Sequence, residues 1–319
     1  MAQLAMGFAS SHGPTIQTPA SEWPRLGEGD TRDPRMDYQA LLRNAKPTIE
    51  EELQPERQQE RYAAAQAALA KLKQLVEAAN LDVIVVVSNP HRTWAEDNQP
   101  VFAVFRGATL PVRSPRGPFD PDARFRPRDE RAPEEMHDRP GHPELANHLV
   151  RSLNGQGFDV GCTDQLRAGA ALDEAFTFLY ERFVPDGHIP MVPFMLSRYL
   201  PNQATAARCH ALGGALRRAI ESWDADARVG LMASGGLSHQ VIDEELDRGV
   251  IDALVGGDRK ALCALETDRL NRAPGTPETL NWVTLGAAME PVGMTLVDYL
   301  PCYRSKAGTG HGVTFGYWQ

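Results

Sequence analysis

The sequence predicts an α/β fold: one large domain over residues 1–319, with a central mixed, mostly parallel sheet flanked by helices. Three observations carry this reading. Continuous apolar, β-branched runs, LDVIVVV at 81–87 above all, have the pattern of strands buried on both faces. They alternate with stretches of strong helix formers such as YAAAQAALAKLKQLVEAA. And 319 residues, 42% of them hydrophobic, are enough to bury a core without covalent staples.

The elements follow in order. A short strand at 4–8 runs into Ser10-Ser11-His12-Gly13-Pro14. Residues 15–60 are polar and proline-punctuated, and are expected to form a long excursion with some short helix. A helix is predicted over 58–79, closed by Asn80, and the strand at 81–87 then ends at Ser88-Asn89-Pro90-His91. A strand is expected at 101–105, and a second excursion at 106–140, rich in Pro, Arg and Asp, is expected to be a surface loop. Gly141 and Pro143 open a helix at 142–154, leading to a strand-like segment at 157–160. The apolar segment 189–196 precedes an amphipathic helix at 205–223. A strand at 229–233 ends at Ser234-Gly235-Gly236-Leu237-Ser238-His239, and helices are predicted over 243–255, 260–270 and 278–289.

Charge and composition exclude several classes. Thirty-three Lys and Arg against 42 Asp and Glu leave a net charge of −9, the wrong sign for a nucleic-acid groove. No apolar run approaches the ~20 residues a membrane helix needs. The opening MAQLAMGFASSHG lacks the basic and long apolar regions of a secretory signal. Cys162, Cys209, Cys263 and Cys302 show no CxxC spacing, which argues against a disulfide scaffold. A cytoplasmic protein without nucleic-acid or membrane partners is expected.

Chemistry concentrates where the strands end. His12, His91 and His239 each follow a predicted buried strand, and ligands of open α/β sheets bind at the carboxyl ends of strands. Taken singly, each is an ordinary loop histidine. Together they can supply imidazoles to a metal, and one added carboxylate would make a two-His-one-carboxylate set that leaves positions open for substrate and dioxygen. Spacing does not choose that carboxylate among 42. Glu278 stands out because it begins a helix after Pro274-Gly275-Thr276-Pro277, although an acid there also simply complements the helix dipole.

These residues carry a family resemblance. SSHGP at 10–14, GHPELANHLVRSL at 141–153, IPMVPFMLSRYLPNQATAARCHALGGALRRAIES at 189–222, GGLSHQ at 235–240 and PETLNW at 277–282 occur in family order. The chain resembles the class III extradiol ring-cleavage dioxygenases, in particular the catalytic β-type subunit of protocatechuate 4,5-dioxygenase. The opening SSHGPTIQTPASEW is most similar to the gallate and 3-O-methylgallate branch. The resemblance implies Fe(II) held by His12, His91 and Glu278, with His239 as the acid/base catalyst. It also implies a small aromatic diol or triol and O2 as substrates. A homo-oligomer is expected, and some relatives carry a small α-type partner subunit.

Two positions depart from the family pattern. Pro90 stands where the family has Asp before the second metal histidine. Asp173-Glu174-Ala175-Phe176 stands where the family has Asp-His-Gly or Asp-His-Ala, with that His near the substrate. Glu174 is therefore expected at the substrate, as an acceptor for a hydroxyl. An altered aromatic substrate or oxidation is the second reading, and a metal-free interaction protein of the same fold is the third. Among other residues, His142 is expected to open a helix and His148 and His210 to be solvated or packed on helices. His137 and His188 are expected in loops. The glycine-rich 303–312 segment is expected beside the site rather than to bind phosphate. Arg208, Arg304 and Lys306 are candidates to pair with an aromatic carboxylate, or with surface acids.

Overall fold

The computed structural model describes residues 1–94, 98–115, 134–167 and 169–319. Its first strands are β1 (Gln3–Ser10), β2 (Val83–Ser88), β3 (Phe102–Phe105), β4 (Thr109–Pro115) and β5 (Glu134–Pro140). They are followed by β6 (Val160–Thr163), β7 (Met191–Leu196), β8 (Arg228–Ser234), β9 (His239–Val241), β10 (Thr295–Tyr303) and β11 (Thr309–Trp318). The main sheet has the order β10-β11-β1-β8-β2-β7-β3-β6, with β9 pairing β11. Its centre, β1-β8-β2-β7, is parallel throughout. The flank is mixed, since β3 runs antiparallel to β7 and β11 antiparallel to β1.

The period of two in the strands divides the core. Val83, Val85 and Val87 face one layer with Leu212, Leu216 and Val283, whereas Ile84 and Val86 face the other with Leu69, Leu72 and Phe176. Every residue of β2 is buried, as a sheet covered on both faces requires. Helices Pro143–Gly155, Ala206–Glu221 and Thr279–Met289 cover the first face, and Pro55–Ala78 and Glu174–Arg182 the second. Thr279–Met289 is buried along its whole length. It lies so close to Ala206–Glu221 that a Cβ on Gly213 would stand 2.1 Å from the Thr284 carbonyl oxygen.

Several expectations need correction. The stretch expected as one surface loop at 106–140 contains the antiparallel ribbon β4–β5, while residues 116–133 lie outside the described residues. The helix expected at 260–270 is two short helices, Arg259–Cys263 and Thr267–Leu270. The strand expected at 157–160 begins at Val160, because Gly157, at φ 81, turns the chain out of the preceding helix. The C-terminal strands β10 and β11 had no counterpart in the sequence reading. Residues 15–54 fold as an excursion of short helices, among them Trp23–Asp30 and Tyr38–Arg43, while the helix expected from 58 already begins at Pro55.

Register places the functional segments. Ser10 pairs Ser234, Val87 pairs Ala233 and Ser88 pairs Met195, so β1, β2, β7 and β8 end at one edge. His12, His91 and the 235–239 loop leave the sheet from that edge. His239 pairs His311 across β9 and β11.

Candidate metal centre

The strand ends deliver their side chains to one buried carboxylate. Glu278 closes the short turn Thr276–Glu278 and caps the buried helix Thr279–Met289. Its position is fixed from below: Asn281 Nδ2 donates to Asn89 Oδ1 (2.7 Å) and to the Ser234 carbonyl (3.0 Å). The Trp282 indole donates to the Gly235 carbonyl at 2.9 Å. The helix start is thereby tied to the ends of β2 and β8.

Around Glu278 stand three imidazoles. His91 Nε2 lies 3.0 Å from Oε1. His12 Nε2 lies 3.7 Å and His239 Nδ1 3.4 Å from Oε2, which also accepts from the Gly236 amide at 3.1 Å. One donor atom each from His12, His91 and Glu278 falls within a mutual distance of 4.8 Å, and His239 is outside that group. The expected metal set thus converges, with the expected acid/base residue against its carboxylate.

Each imidazole has its own support. His12 Nδ1 meets Ser234 Oγ at 2.9 Å, leaving Nε2 turned inward. His91 Nδ1 meets Glu174 Oε1 at 3.2 Å, and Glu174 Oε2 accepts from Arg92 Nη2 at 2.6 Å. Asp173 Oδ2 accepts from the backbone amides of His91, Arg92 and Thr93 and from the Thr93 hydroxyl, fixing the loop after β2. The His239 ring meets the His311 ring edge to face, centroids 4.3 Å apart. Thr15 Oγ1 lies 3.0 Å from His311 Nδ1.

Electrostatics separate these groups. Burial, aided by repulsion from His91 and His239, lowers His12 to about 4, so its imidazole is neutral near pH 7. Burial opposes charge on His91 too, but hydrogen bonds with Glu174 and Glu278 outweigh it and raise His91 to about 10. Burial pushes Glu278 toward protonation, yet the facing His239 and His12 and the bond from His91 hold it well below the usual carboxylate range.

The residues fit a divalent transition metal. His12 Nε2 is fully buried with no hydrogen-bond partner among the described residues, a state that costs about 1–3 kcal/mol when nothing offsets it. A cation facing it, His91 Nε2 and Glu278 would have two imidazoles and one carboxylate, a donor set suited to non-haem iron. A second cluster, His91, Asp173 and Glu174, has ligand-type atoms equally close. It lacks a free third donor, since Asp173 Oδ2 already accepts four hydrogen bonds and Oδ1 takes the Ala175 amide.

The remaining candidates have other partners. His142 caps its helix through the Leu145 amide, His148 Nε2 bonds the Ala219 carbonyl, and His210 pairs Glu290. His188 pairs Asp186 in a loop, while His137 lies exposed on β5 rather than in the loop expected. Arg304 forms a buried bidentate pair with Asp30, Lys306 an exposed pair with Glu50, and Arg208 donates to the Gly157 carbonyl. The sequence reading did not single out Ser234, Asp173 or Asp247. A signal for Ser234 was present: β1, β2 and β8, three neighbouring buried strands, each close on a serine.

Comparison with known proteins bears on the family of the chain. A curated gallate dioxygenase of Pseudomonas putida (strain KT2440) is 34% identical over 125 residues, 36% of this chain. The alignment spans about a third (36%) of that relative's length. The crystal structure of the uncharacterized protein JW3007 from Escherichia coli K12 aligns with a TM-score of 0.49 at 15% identity, over 78% of this chain and 91% of that one. Among the described residues no helix is long and apolar enough to cross a membrane. The family described as the catalytic LigB subunit of aromatic ring-opening dioxygenase matches residues 45–307, a span holding His91, His239 and Glu278, and the chain belongs to that family.

Proposed function

We propose that the protein is an Fe(II)-dependent extradiol dioxygenase that opens the ring of a catechol or gallate-type phenol with O2. The observation that carries this reading is the convergence of His12, His91 and Glu278 within 4.8 Å at the carboxyl edge of the parallel strands. His12, His91 and Glu278 would hold the iron. When bound, iron supplies a path for electron density from an electron-rich ring to dioxygen, so no separate reductant is required.

The chain's own residues supply proton transfer and exclusion of water. His239 Nδ1 is buried, faces Glu278 and has no hydrogen-bond partner among the described residues. On this reading it takes a phenolic proton and later returns it to the oxygen freed when the O–O bond breaks as the ring opens. An imidazole suits both steps because a ring nitrogen can accept a proton and give it back. His12 and Glu278 are only 2% and 1% exposed, which keeps bulk water from the donors. Glu174, with a side chain 38% exposed, borders the same group. The similarity to a gallate dioxygenase supports a gallate-type ring. A homo-oligomer in the cytoplasm, with or without a small α-type subunit, accompanies this reading.

The test is oxygen uptake by anaerobically Fe(II)-loaded protein across catechol, protocatechuate, gallate and methylated gallates. Uptake that requires Fe(II) and disappears in His12→Ala is expected. No uptake with any of these phenols by an iron-loaded protein would overturn the proposal.

A further inference from the structure

We propose that Glu174 is a positioning residue for His91, holding its imidazole in the tautomer and rotation that turn Nε2 toward the metal group. The inference rests on the metal-centre reading and adds to it a role for a residue where the chain leaves the family pattern.

The His91 ring is gripped at both nitrogens. Glu278 Oε1 stands 3.0 Å from Nε2, and Glu174 Oε1 stands 3.2 Å from Nδ1. A histidine that ligates through Nε2 must carry its proton on Nδ1, and that N–H then donates to Glu174. The carboxylate fixes the tautomer and makes Nε2 a stronger donor. Glu174 is itself restrained, because its other oxygen accepts from Arg92 Nη2 at 2.6 Å. Its backbone begins the helix Glu174–Arg182, whose N-cap, Asp173, binds the amides of His91, Arg92 and Thr93. Two adjacent acids therefore fix one loop, Asp173 by its backbone and Glu174 by its imidazole.

The arrangement has a counterpart at the other imidazole. His12 Nδ1 meets Ser234 Oγ at 2.9 Å, so each proposed histidine ligand has a polar side chain behind it. Pro90 gives His91 no acidic neighbour on its N-terminal side, and Glu174 brings a carboxylate from 83 residues away. With one oxygen on His91 and the other on Arg92, Glu174 in this structure makes its contacts with the metal group's surroundings.

Anaerobic titration with Co(II), a spectroscopic probe for this donor set, tests the proposal in wild type, Glu174→Ala and Glu174→Gln. The alanine variant is expected to bind Co(II) about 10–100-fold more weakly and with an altered visible spectrum. The glutamine variant keeps an acceptor for the Nδ1 proton. It is expected to lose about tenfold, the low end of that range, and to recover most of the wild-type spectrum. Circular dichroism of the metal-free proteins checks that folding is kept, and the near-isosteric glutamine variant keeps the test decisive if alanine disrupts the fold. Wild-type affinity and spectrum in both variants would overturn the inference. So would unchanged Co(II) binding accompanied by a shifted kcat/KM ratio between protocatechuate and an uncharged catechol, which would assign Glu174 to the substrate. A wild-type protein whose Co(II) uptake is absent, or persists in His12→Ala, would instead overturn the metal-centre reading and this inference with it.

Discussion

His91 Nε2 and Glu278 Oε1 stand 3.0 Å apart although 187 residues of chain separate them. One residue follows a buried strand and the other starts a buried helix, and the polar ties from Asn281 to Asn89 and Ser234 hold the two elements together. The contact is therefore fixed by the packing of these two elements.

If this contact is half of a metal site, its members act as a unit. His12→Ala, His91→Ala and Glu278→Gln are each expected to reduce iron from one equivalent to background after anaerobic Fe(II) loading, measured by metal analysis. His91→Ala should also cost the metal-free protein about 1–3 kcal/mol, because the buried Glu278 loses a hydrogen-bond donor. Wild-type iron in the His91→Ala protein would remove His91 from the ligand set.

His239 touches the same carboxylate but has a different task. His239→Ala is expected to retain iron and bind catechol while kcat falls by about 10²–10⁴-fold, the usual range for a lost general acid/base. Loss of iron alongside turnover would make His239 a ligand instead.

Asp247 supports the loop that carries His239. It is fully buried and accepts from the Ser238 amide (2.7 Å), the Ser238 hydroxyl (2.6 Å) and the Tyr299 hydroxyl (2.8 Å). Burial, with Asp243 adding like charge, pushes it up to about 7 against those hydrogen bonds. In the unfolded chain an Asp titrates near ~4. The folded state thus holds the proton more tightly, and stability from this group is complete below about pH 4 and is lost as pH rises through about 7. Urea midpoints measured from about pH 4 to pH 8 should show Asp247→Asn gaining on wild type as pH rises. A constant difference across that range would mean that Asp247 ionises normally in the fold.

A buried ion pair helps anchor the excursion over residues 15–60. Arg304 Nε and Nη2 reach Asp30 at 2.7 and 2.8 Å, and Thr309 Oγ1 reaches the same carboxylate at 2.5 Å. Asp30→Ala leaves the guanidinium buried without its partner and is expected to cost about 3–5 kcal/mol, read by chemical denaturation. Limited proteolysis should then cut first within residues 15–60. Equal stability of variant and wild type would mean that the pair is solvated in solution.

Much of this molecule was legible in the residues. A short run as β-branched as VIVVVS favours a strand covered on both faces, and its alternation with helix-forming stretches pointed to the α/β class. The same logic located His12, His91 and His239, because parallel strands deliver their following residues to one edge. The C-terminal ribbon escaped because its strands carry Pro301 and Gly310, Gly312 and Gly316, residues that weaken a strand signal. What forms it is pairing of β11 with β1, nearly the whole chain away.

By itself, then, the sequence determined the α/β class, the buried strands of the parallel centre and the residue types that follow them, since these rest on local pattern, whereas the β4–β5 ribbon and the two C-terminal strands did not. Only the tertiary structure decided which oxygen faces which nitrogen: Ser234 behind His12 across 222 residues, Glu174 behind His91 across 83, and His311 against His239 by strand register. Hydrogen-bond partners so far apart depend on the registry of packed elements, and that is fixed by the two cores on either side of the sheet and by no pattern within a single segment.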